Sequence, residues 1–245
     1  MRYLALATDY DGTLAHDSHV SEEALTAIQR LKESGRKLIL VTGREMPELQ
    51  SVFPDFKLCD CIVAENGALL VWPADGKEEV LGEPPPETFL NEIVHRGVKP
   101  FSVGKVIFAT WRPQESVVLD VIQTLGLEYQ IIFNKRAVMV LPSGINKATG
   151  LAKALKRMKI SPANVVGIGD AENDHAFLEA CAVAGAVSNA LPSLKERCDV
   201  VMTRDHGGGV VDLIDRILSD DLQSLGVRRP RKELVVQTVK AAAAT

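Results

Sequence analysis

The sequence predicts an α/β fold: a doubly wound, mainly parallel sheet carrying a smaller inserted α+β unit. Three observations lead there. Short runs rich in Val, Ile and Leu alternate with amphipathic helical stretches along most of the chain. Those runs are apolar at almost every position, the pattern of strands covered on both faces and hence parallel. The alternation breaks between about residues 83 and 142, behind the stiff triplet Pro84-Pro85-Pro86.

Residues 3–8 read as the first strand. A helix is expected over 21–34. Ser21 suits its N-cap, Glu22 and Glu23 its positive end, and Ala24, Leu25, Ile28 and Leu31 its apolar stripe, with Gly35 as the stop. Lys37–Val41 and Cys61–Ala64 continue the parallel set, and residues 68–81 fit a hairpin around Ala74-Asp75-Gly76. The inserted block holds a helix (87–96), a strand (103–111), a second helix (114–125) and two neighbouring strands (128–133 and 137–141). Beyond it come a helix over 148–158, strands over 165–168 and 182–187, and helices over 176–180, 191–196 and 210–218. The expected domains are therefore a core of 1–82 and 143–219, an insertion of 83–142, and a tail of 220–245. In the tail, Arg228, Arg229, Arg231 and Lys232 surround Pro230, which reads as a loosely ordered, solvated end. Leu234, Val235, Val236 and Val239 offer the alternative of a docking arm.

Composition bounds the function. At 245 residues, with 46% hydrophobic and 24% charged, the chain can bury a full core, so wholesale disorder is excluded. A net charge of −4 makes a poor sequence-independent nucleic-acid binder. No apolar run approaches the roughly 18–20 residues that span a bilayer. The apolar start ends at Asp9, too soon for a signal peptide. Cys59, Cys61, Cys181 and Cys198 form neither a C-x-x-C pair nor a Cys/His cluster, so a reduced, cytoplasmic setting is expected.

The chemistry-bearing residues follow the strands. Asp9-Tyr10-Asp11-Gly12-Thr13 comes directly after the first, and period-two geometry sends Asp9 and Asp11 to one side and Tyr10 to the other. Thr42-Gly43-Arg44 follows the second, offering a hydroxyl and a glycine N–H to an anion. An N-cap is the plainer role for Thr42 alone. Lys147 opens a helix against the dipole, a local cost of roughly 0.3–1 kcal/mol that an anion would explain. Gly169-Asp170-Ala171-Glu172-Asn173-Asp174 leaves the strand over 165–168. Open α/β sheets bind ligands at that strand edge. Four carboxylates (Asp9, Asp11, Asp170, Asp174) then face one ammonium. Two like charges about 4 Å apart repel by ~4 kcal/mol at an effective dielectric of 20, so the cluster calls for a cation. An all-oxygen donor set favours Mg²⁺ over zinc, and a phosphoryl group beside it is the natural substrate.

In these motifs the sequence resembles the haloacid dehalogenase superfamily of phosphatases, in its Cof-like, type-IIB branch. Asp9–Thr13, Thr42, Lys147 and Asp170–Asp174 match its four motifs in order, and Glu65-Asn66-Gly67-Ala68, Asn189-Ala190 and Gly209-Val210 extend the likeness. The resemblance implies a cap inserted between the second and third motifs, where the long interval from Thr42 to Lys147 contains the 83–142 block. It also implies that Asp9 is a nucleophile forming an aspartyl-phosphate and that Asp11 is the general acid and base. Mg²⁺ would be held by Asp9, the backbone carbonyl of Asp11 and Asp170, with Asp174 behind them or through water. Thr42, Gly43 and Lys147 would hold phosphoryl oxygens, and Asn173 would orient the site. The cap would choose the leaving group, with Trp111, Arg112, Lys135 and Arg136 as candidates. Solvated surface charge is the rival role for the cap's arginines, and a turn with Gly67 is the rival role for Asn66 as a pocket residue. The expected activity is Mg²⁺-dependent hydrolysis of a small phosphorylated metabolite, a sugar phosphate or phospho-acid such as phosphoglycolate, by a monomer or homodimer that engages neither nucleic acid nor membrane. A phosphotransferase or mutase sharing the aspartyl-phosphate is the enzymatic alternative. A phosphoaccepting signalling module is the non-enzymatic one.

Overall fold

The structure, a computed structural model, describes residues 1–225, so the expectations for the tail beyond them lie outside the described residues. In chain order the strands are β1 (Ala5–Thr8), β2 (Lys37–Val41), β3 (Cys61–Ala64), β4 (Leu69–Trp72), β5 (Lys77–Val80), β6 (Phe101–Val103), β7 (Phe108–Trp111), β8 (Tyr129–Asn134), β9 (Ala137–Pro142), β10 (Val165–Gly169), β11 (Val183–Ala186) and β12 (Val200–Val201). The helices are α1 (Glu22–Glu33), α2 (Met46–Val52), α3 (Glu87–His95), α4 (Glu115–Thr124), α5 (Lys147–Met158), α6 (His175–Ala180), α7 (Pro192–Lys195) and α8 (His206–Asp220).

The chain forms the expected α/β fold. An eight-stranded sheet runs β12-β11-β10-β1-β2-β3-β4-β5, parallel from β12 to β3 and antiparallel at β4 and β5. The continuous apolar runs are continuously buried: every residue of β1, β3 and β10 lies in the interior. Helix α1 packs on α8, and α5 on α6. The stripe read in the sequence is the buried face of α1 at Ala24, Ile28 and Leu31, and Ser21 caps it by accepting the Ala24 N–H at 3.2 Å.

A second, antiparallel sheet has the order β6-β7-β9-β8. Phe89 and Ile93 of α3 and Val118, Val121 and Ile122 of α4 form its own core with Phe108 and Val140. A separate apolar cluster joins the two sheets. It contains Ala68 beside β4, Ile145 before α5, and Val106, Ile107, Met139 and Leu141 of the second sheet unit.

Three local expectations differ from the structure. The single strand over 103–111 is instead a hairpin, β6 and β7, because the amides of residues 105–107 bond to the Glu65 carboxylate rather than to a ladder. Helix α2 was not anticipated: its buried residues are only Met46 and Leu49, too few for a readable stripe. Helix α8 begins at His206, four residues before the expected start, and its first turn is built from Gly207, Gly208 and Gly209, weak helix formers that close packing against Leu14, Arg204 and Met202 retains.

Candidate active site

Strands β1 and β10 lie side by side, and the chain leaves them in opposite directions, toward β2 and toward β11. Right-handed crossovers then put the connecting helices on opposite faces, which opens a crevice at the shared C-terminal edge. Asp9 follows β1 and Asp170 follows β10 at that crevice. One carboxylate oxygen from each of Asp9, Asp170 and Asp174 lies within 4.8 Å of the others, and all three residues are buried.

Lys147 joins this cluster from the other side. It is the first residue of α5, whose cap is supplied by Asn146: the side-chain oxygen accepts the amides of Ala148 at 2.9 Å and Thr149 at 3.1 Å. Its fully buried ammonium donates to Asp9 Oδ1 at 2.5 Å and to Asp174 Oδ1 at 2.7 Å. The anion that offsets the helix dipole is thus a pair of side-chain carboxylates. Asp174 Oδ2 accepts the amides of Asp170 at 2.8 Å and Ala171 at 3.0 Å, so this residue holds the loop in shape as well as pairing with Lys147. Asp170 accepts the Thr13 hydroxyl on Oδ1 at 3.0 Å. Asp9 Oδ2 has no hydrogen-bond partner among the described residues.

The charge balance differs from the sequence reading. Besides Lys147, two further cations reach the carboxylates. Lys135, in the β8–β9 turn, donates to Asp170 Oδ2 at 2.7 Å. Arg44 grips Asp11 with two bonds of 2.7 Å and reaches Glu48 at 2.6 Å and the Ser18 hydroxyl at 2.7 Å. The Asp11 carboxylate is therefore paired with Arg44 and does not join the cluster of Asp9, Asp170 and Asp174, unlike the four-carboxylate grouping expected from the sequence. Both residues stand in the sequence reading, Arg44 in Thr42-Gly43-Arg44 and Lys135 among the candidates for the leaving group, but neither is expected there to pair with the carboxylates; Lys135 lies 35 residues from Asp170.

Burial, followed by the neighbouring Asp174, pushes the Asp9 carboxyl well above the usual carboxylate range, and Lys147 opposes the shift. Burial likewise raises Asp170, against the pull of Lys135. Burial works against the charge on Lys147, but Asp174 and Asp9 hold the ammonium above the usual lysine range. Tyr10 lies apart from this chemistry: it is fully buried, donates to the Ser18 carbonyl at 2.9 Å, and burial pushes its phenol up to about 12.

A cavity of about 640 Å³ opens between this edge and the second sheet. Asp9, Asp11, Gly43 and Arg44 line one wall, and Ile107, Trp111, Lys135, Arg136 and Met139 the other. Among the described lining residues, Arg136 is the cation without an acidic partner. Arg112 does not line the cavity. Its guanidinium sits over the Phe133 ring at 4.7 Å, a cation–π contact that draws it off the opening. Thr42, Lys147, Asn66 and Asn173 are also absent from the lining. Thr42 is fully buried and is not an N-cap, since α2 is capped at Glu45; its hydroxyl accepts the Arg44 N–H at 3.1 Å. Asn173 Nδ2 donates to Asn66 Oδ1 at 2.9 Å, which leaves Asn66 Nδ2 and Asn173 Oδ1 buried without partners.

Comparison with known proteins places the chain by family and fold. A family profile described as haloacid dehalogenase-like hydrolase matches residues 6–96 and 128–214. A phosphoglycolate phosphatase of Methanothermobacter thermautotrophicus is 30% identical over 223 residues, covering 87% of this chain and 98% of that protein. Phosphoglycolate phosphatase 2 of Saccharolobus solfataricus is 29% identical over 222 residues, covering 88% and 93%. A crystal structure of a haloacid dehalogenase-like hydrolase from Bacteroides thetaiotaomicron matches the fold with a TM-score of 0.73 at 18% identity, covering 88% of this chain and 99% of that one. One from B. subtilis matches with a TM-score of 0.69 at 15% identity, covering 87% and 99%.

Proposed function

The chain belongs to the haloacid dehalogenase-like hydrolases and is a phosphatase, and from that premise we propose its mechanism and its substrate class. The substrate is a small phosphomonoester with a second acidic group, phosphoglycolate or a close analogue. Residues 83–142 act as the cap that selects it. The observation that carries the mechanism is the Lys147 ammonium, buried between Asp9 and Asp174 at the sheet edge where the chain leaves β1 and β10 in opposite directions.

In the first step a carboxylate oxygen of Asp9 attacks phosphorus in line, and the bond to the leaving alkoxide breaks as Asp11 protonates that oxygen. In the second, Asp11 takes a proton from a water that attacks the aspartyl-phosphate, releasing phosphate and restoring Asp9. Lys147 keeps Asp9 oriented and ionised within an interior that otherwise favours its neutral form. The Thr42 hydroxyl, the Gly43 N–H and Lys147 hold the phosphoryl oxygens, where charge accumulates during transfer. Asn173 and Asn66 brace each other and so fix the loop that carries Asp170. Arg44 holds Asp11 at the cavity wall, and the leaving-group oxygen replaces it during turnover.

The buried all-oxygen donor set, clustered within 4.8 Å, fits a hard divalent cation such as Mg²⁺. Asp9, the Asp11 carbonyl and Asp170 would hold it, with Asp174 and Lys135 adjoining. When bound it would supply positive charge that offsets the negative charge gathered at the site during transfer.

Two observations support the acidic leaving group. Arg136 faces the cavity with no acidic partner, and the relatives above carry the name phosphoglycolate phosphatase. The test is phosphate release from 2-phosphoglycolate and from p-nitrophenyl phosphate with Mg²⁺ present. Asp9→Asn should lower kcat by about 10³-fold or more without unfolding the protein. Substantial turnover by that variant removes Asp9 as nucleophile. Transfer of phosphate to an added alcohol instead of water would favour the phosphotransferase alternative.

A further inference from the structure

Glu65 has no place in the chemistry above, yet it is almost fully buried, at 2% exposure. Its carboxylate reaches across from the end of β3 and accepts three successive backbone amides of the β6–β7 turn. Lys105 donates to Oε1 at 2.9 Å, and Val106 and Ile107 donate to Oε2 at 2.8 and 3.0 Å. The fit is close, since a Cβ on Gly104 would lie 2.6 Å from the carboxyl carbon. Only a carboxylate side chain presents two oxygens that are acceptors alone, as three converging N–H donors require.

The same turn touches the catalytic segments. The Glu65 N–H donates to the Arg44 carbonyl at 3.0 Å, and the Asn66 N–H to the Thr42 carbonyl at 2.9 Å. Asn66 accepts from Asn173, and Gly67 lies so close to the start of α5 that a Cβ there would be 2.0 Å from the Asn146 carbonyl oxygen. Glu65 and Asn66 both have positive φ, 49° and 54°, a conformation that non-glycine residues adopt rarely and at a cost. On the far side, Ile107 lines the cavity that faces Asp9 and Asp11.

We propose that Glu65 is a positioning residue: its carboxylate pins the cap's 104–107 turn to the catalytic edge and thereby sets the height of the cavity roof over Asp9 and Asp11. The role rests on the phosphatase reading for its kinetic consequence, while the pinning itself can be measured without turnover.

The experiment uses Glu65→Gln, Glu65→Ala, Gly104→Ala and the Glu65→Ala/Gly104→Ala double variant of the full chain, with two readouts. Amide hydrogen exchange at residues 105–107 should accelerate by about 10-fold or more in Glu65→Gln and Glu65→Ala, while amides of β1 and β10 keep their protection. With 2-phosphoglycolate, Glu65→Gln and Gly104→Ala should lower kcat/KM by roughly 10–100-fold, mainly through KM. With p-nitrophenyl phosphate, whose leaving group carries no second anion, the fall should stay under about 3-fold. Adding Gly104→Ala to Glu65→Ala should change little, because the group that its Cβ meets has gone. A purely structural role would lower both substrates together and leave the two substitutions additive. Unchanged exchange at residues 105–107, an equal fall for both substrates, or additivity overturns the proposal. If the wild-type protein hydrolyses neither substrate, the phosphatase reading fails alone, and the exchange data still decide the pinning.

Discussion

Replacing Lys147 with methionine keeps an unbranched side chain one atom shorter and removes one charge from the centre of the site. In the wild-type protein its ammonium lies 2.5 Å from Asp9 and 2.7 Å from Asp174, and all three side chains are at most 4% exposed. The change strands two carboxylates in the interior. Breaking a buried pair in this way costs about 3–5 kcal/mol, because the remaining charge loses its partner without regaining water. For a chain of this size that corresponds to a fall in Tm of roughly 6–20 °C. Thermal unfolding followed by circular dichroism at pH 7.5, with a chelator present, measures it. The loss should shrink at pH 5. Asp9 already titrates above the usual range through burial and Asp174, and without Lys147 it rises further. A carboxyl whose folded value is raised contributes stability below its unfolded value, and that contribution is lost as the pH climbs through the folded value. A second substitution supplies the control. Asp174→Asn added to Lys147→Met removes one stranded charge, so the double variant should be more stable than the single one. The reasoning is refuted if Lys147→Met unfolds within about 1 kcal/mol of the wild type at pH 7.5, or if the double variant is the less stable. In the same variant kcat should fall by about 10²–10⁴-fold, since the donor to the nucleophile and the phosphoryl oxygens is gone.

Four further outcomes are expected. Arg136→Ala should raise KM for 2-phosphoglycolate by about 10-fold or more and leave p-nitrophenyl phosphate nearly unaffected; steady-state kinetics on both substrates checks it. EDTA should abolish turnover and Mg²⁺ restore it, and Mg²⁺ at about 100 times its Kd should stabilise the fold by ~2.7 kcal/mol, visible in Tm. Gly67→Ala should cost about 3 kcal/mol or more in denaturant unfolding, because φ there is +108° and the added carbon meets the Asn146 carbonyl at 2.0 Å. Burial alone would raise the Asp60 carboxyl, but the Leu38 amide and the Lys37 and Lys32 ammoniums hold it below the usual range. Its stabilisation is therefore present above the ordinary carboxylate value and lost as the pH falls through the lower folded value. Asp60→Asn should cost about 1–2 kcal/mol at pH 7, and the gap should close as the pH falls below the ordinary carboxylate range.

The sequence by itself determined the features set by local chemistry. Unbroken apolar runs at 38–41, 61–64 and 165–168 have no polar face to show to water, so they form interior parallel strands. Ser21, Glu22 and Gly35 delimit α1 because capping acts within one turn of the helix end. The motifs after these strands were legible for the same reason: a residue that directly follows a buried parallel strand has to emerge at its C-terminal edge. Tertiary structure decided what depends on contacts between distant segments. Arg44 turns the Asp11 carboxylate out of the cluster, Lys135 crosses from the second sheet to Asp170, and Phe133 draws Arg112 off the cavity. The break in the 103–111 run is of the same kind. The sequence there is apolar enough for one strand, but a buried carboxylate some 40 residues away takes the amides that a ladder would have used, and hydrogen bonds of that span leave no periodicity to read.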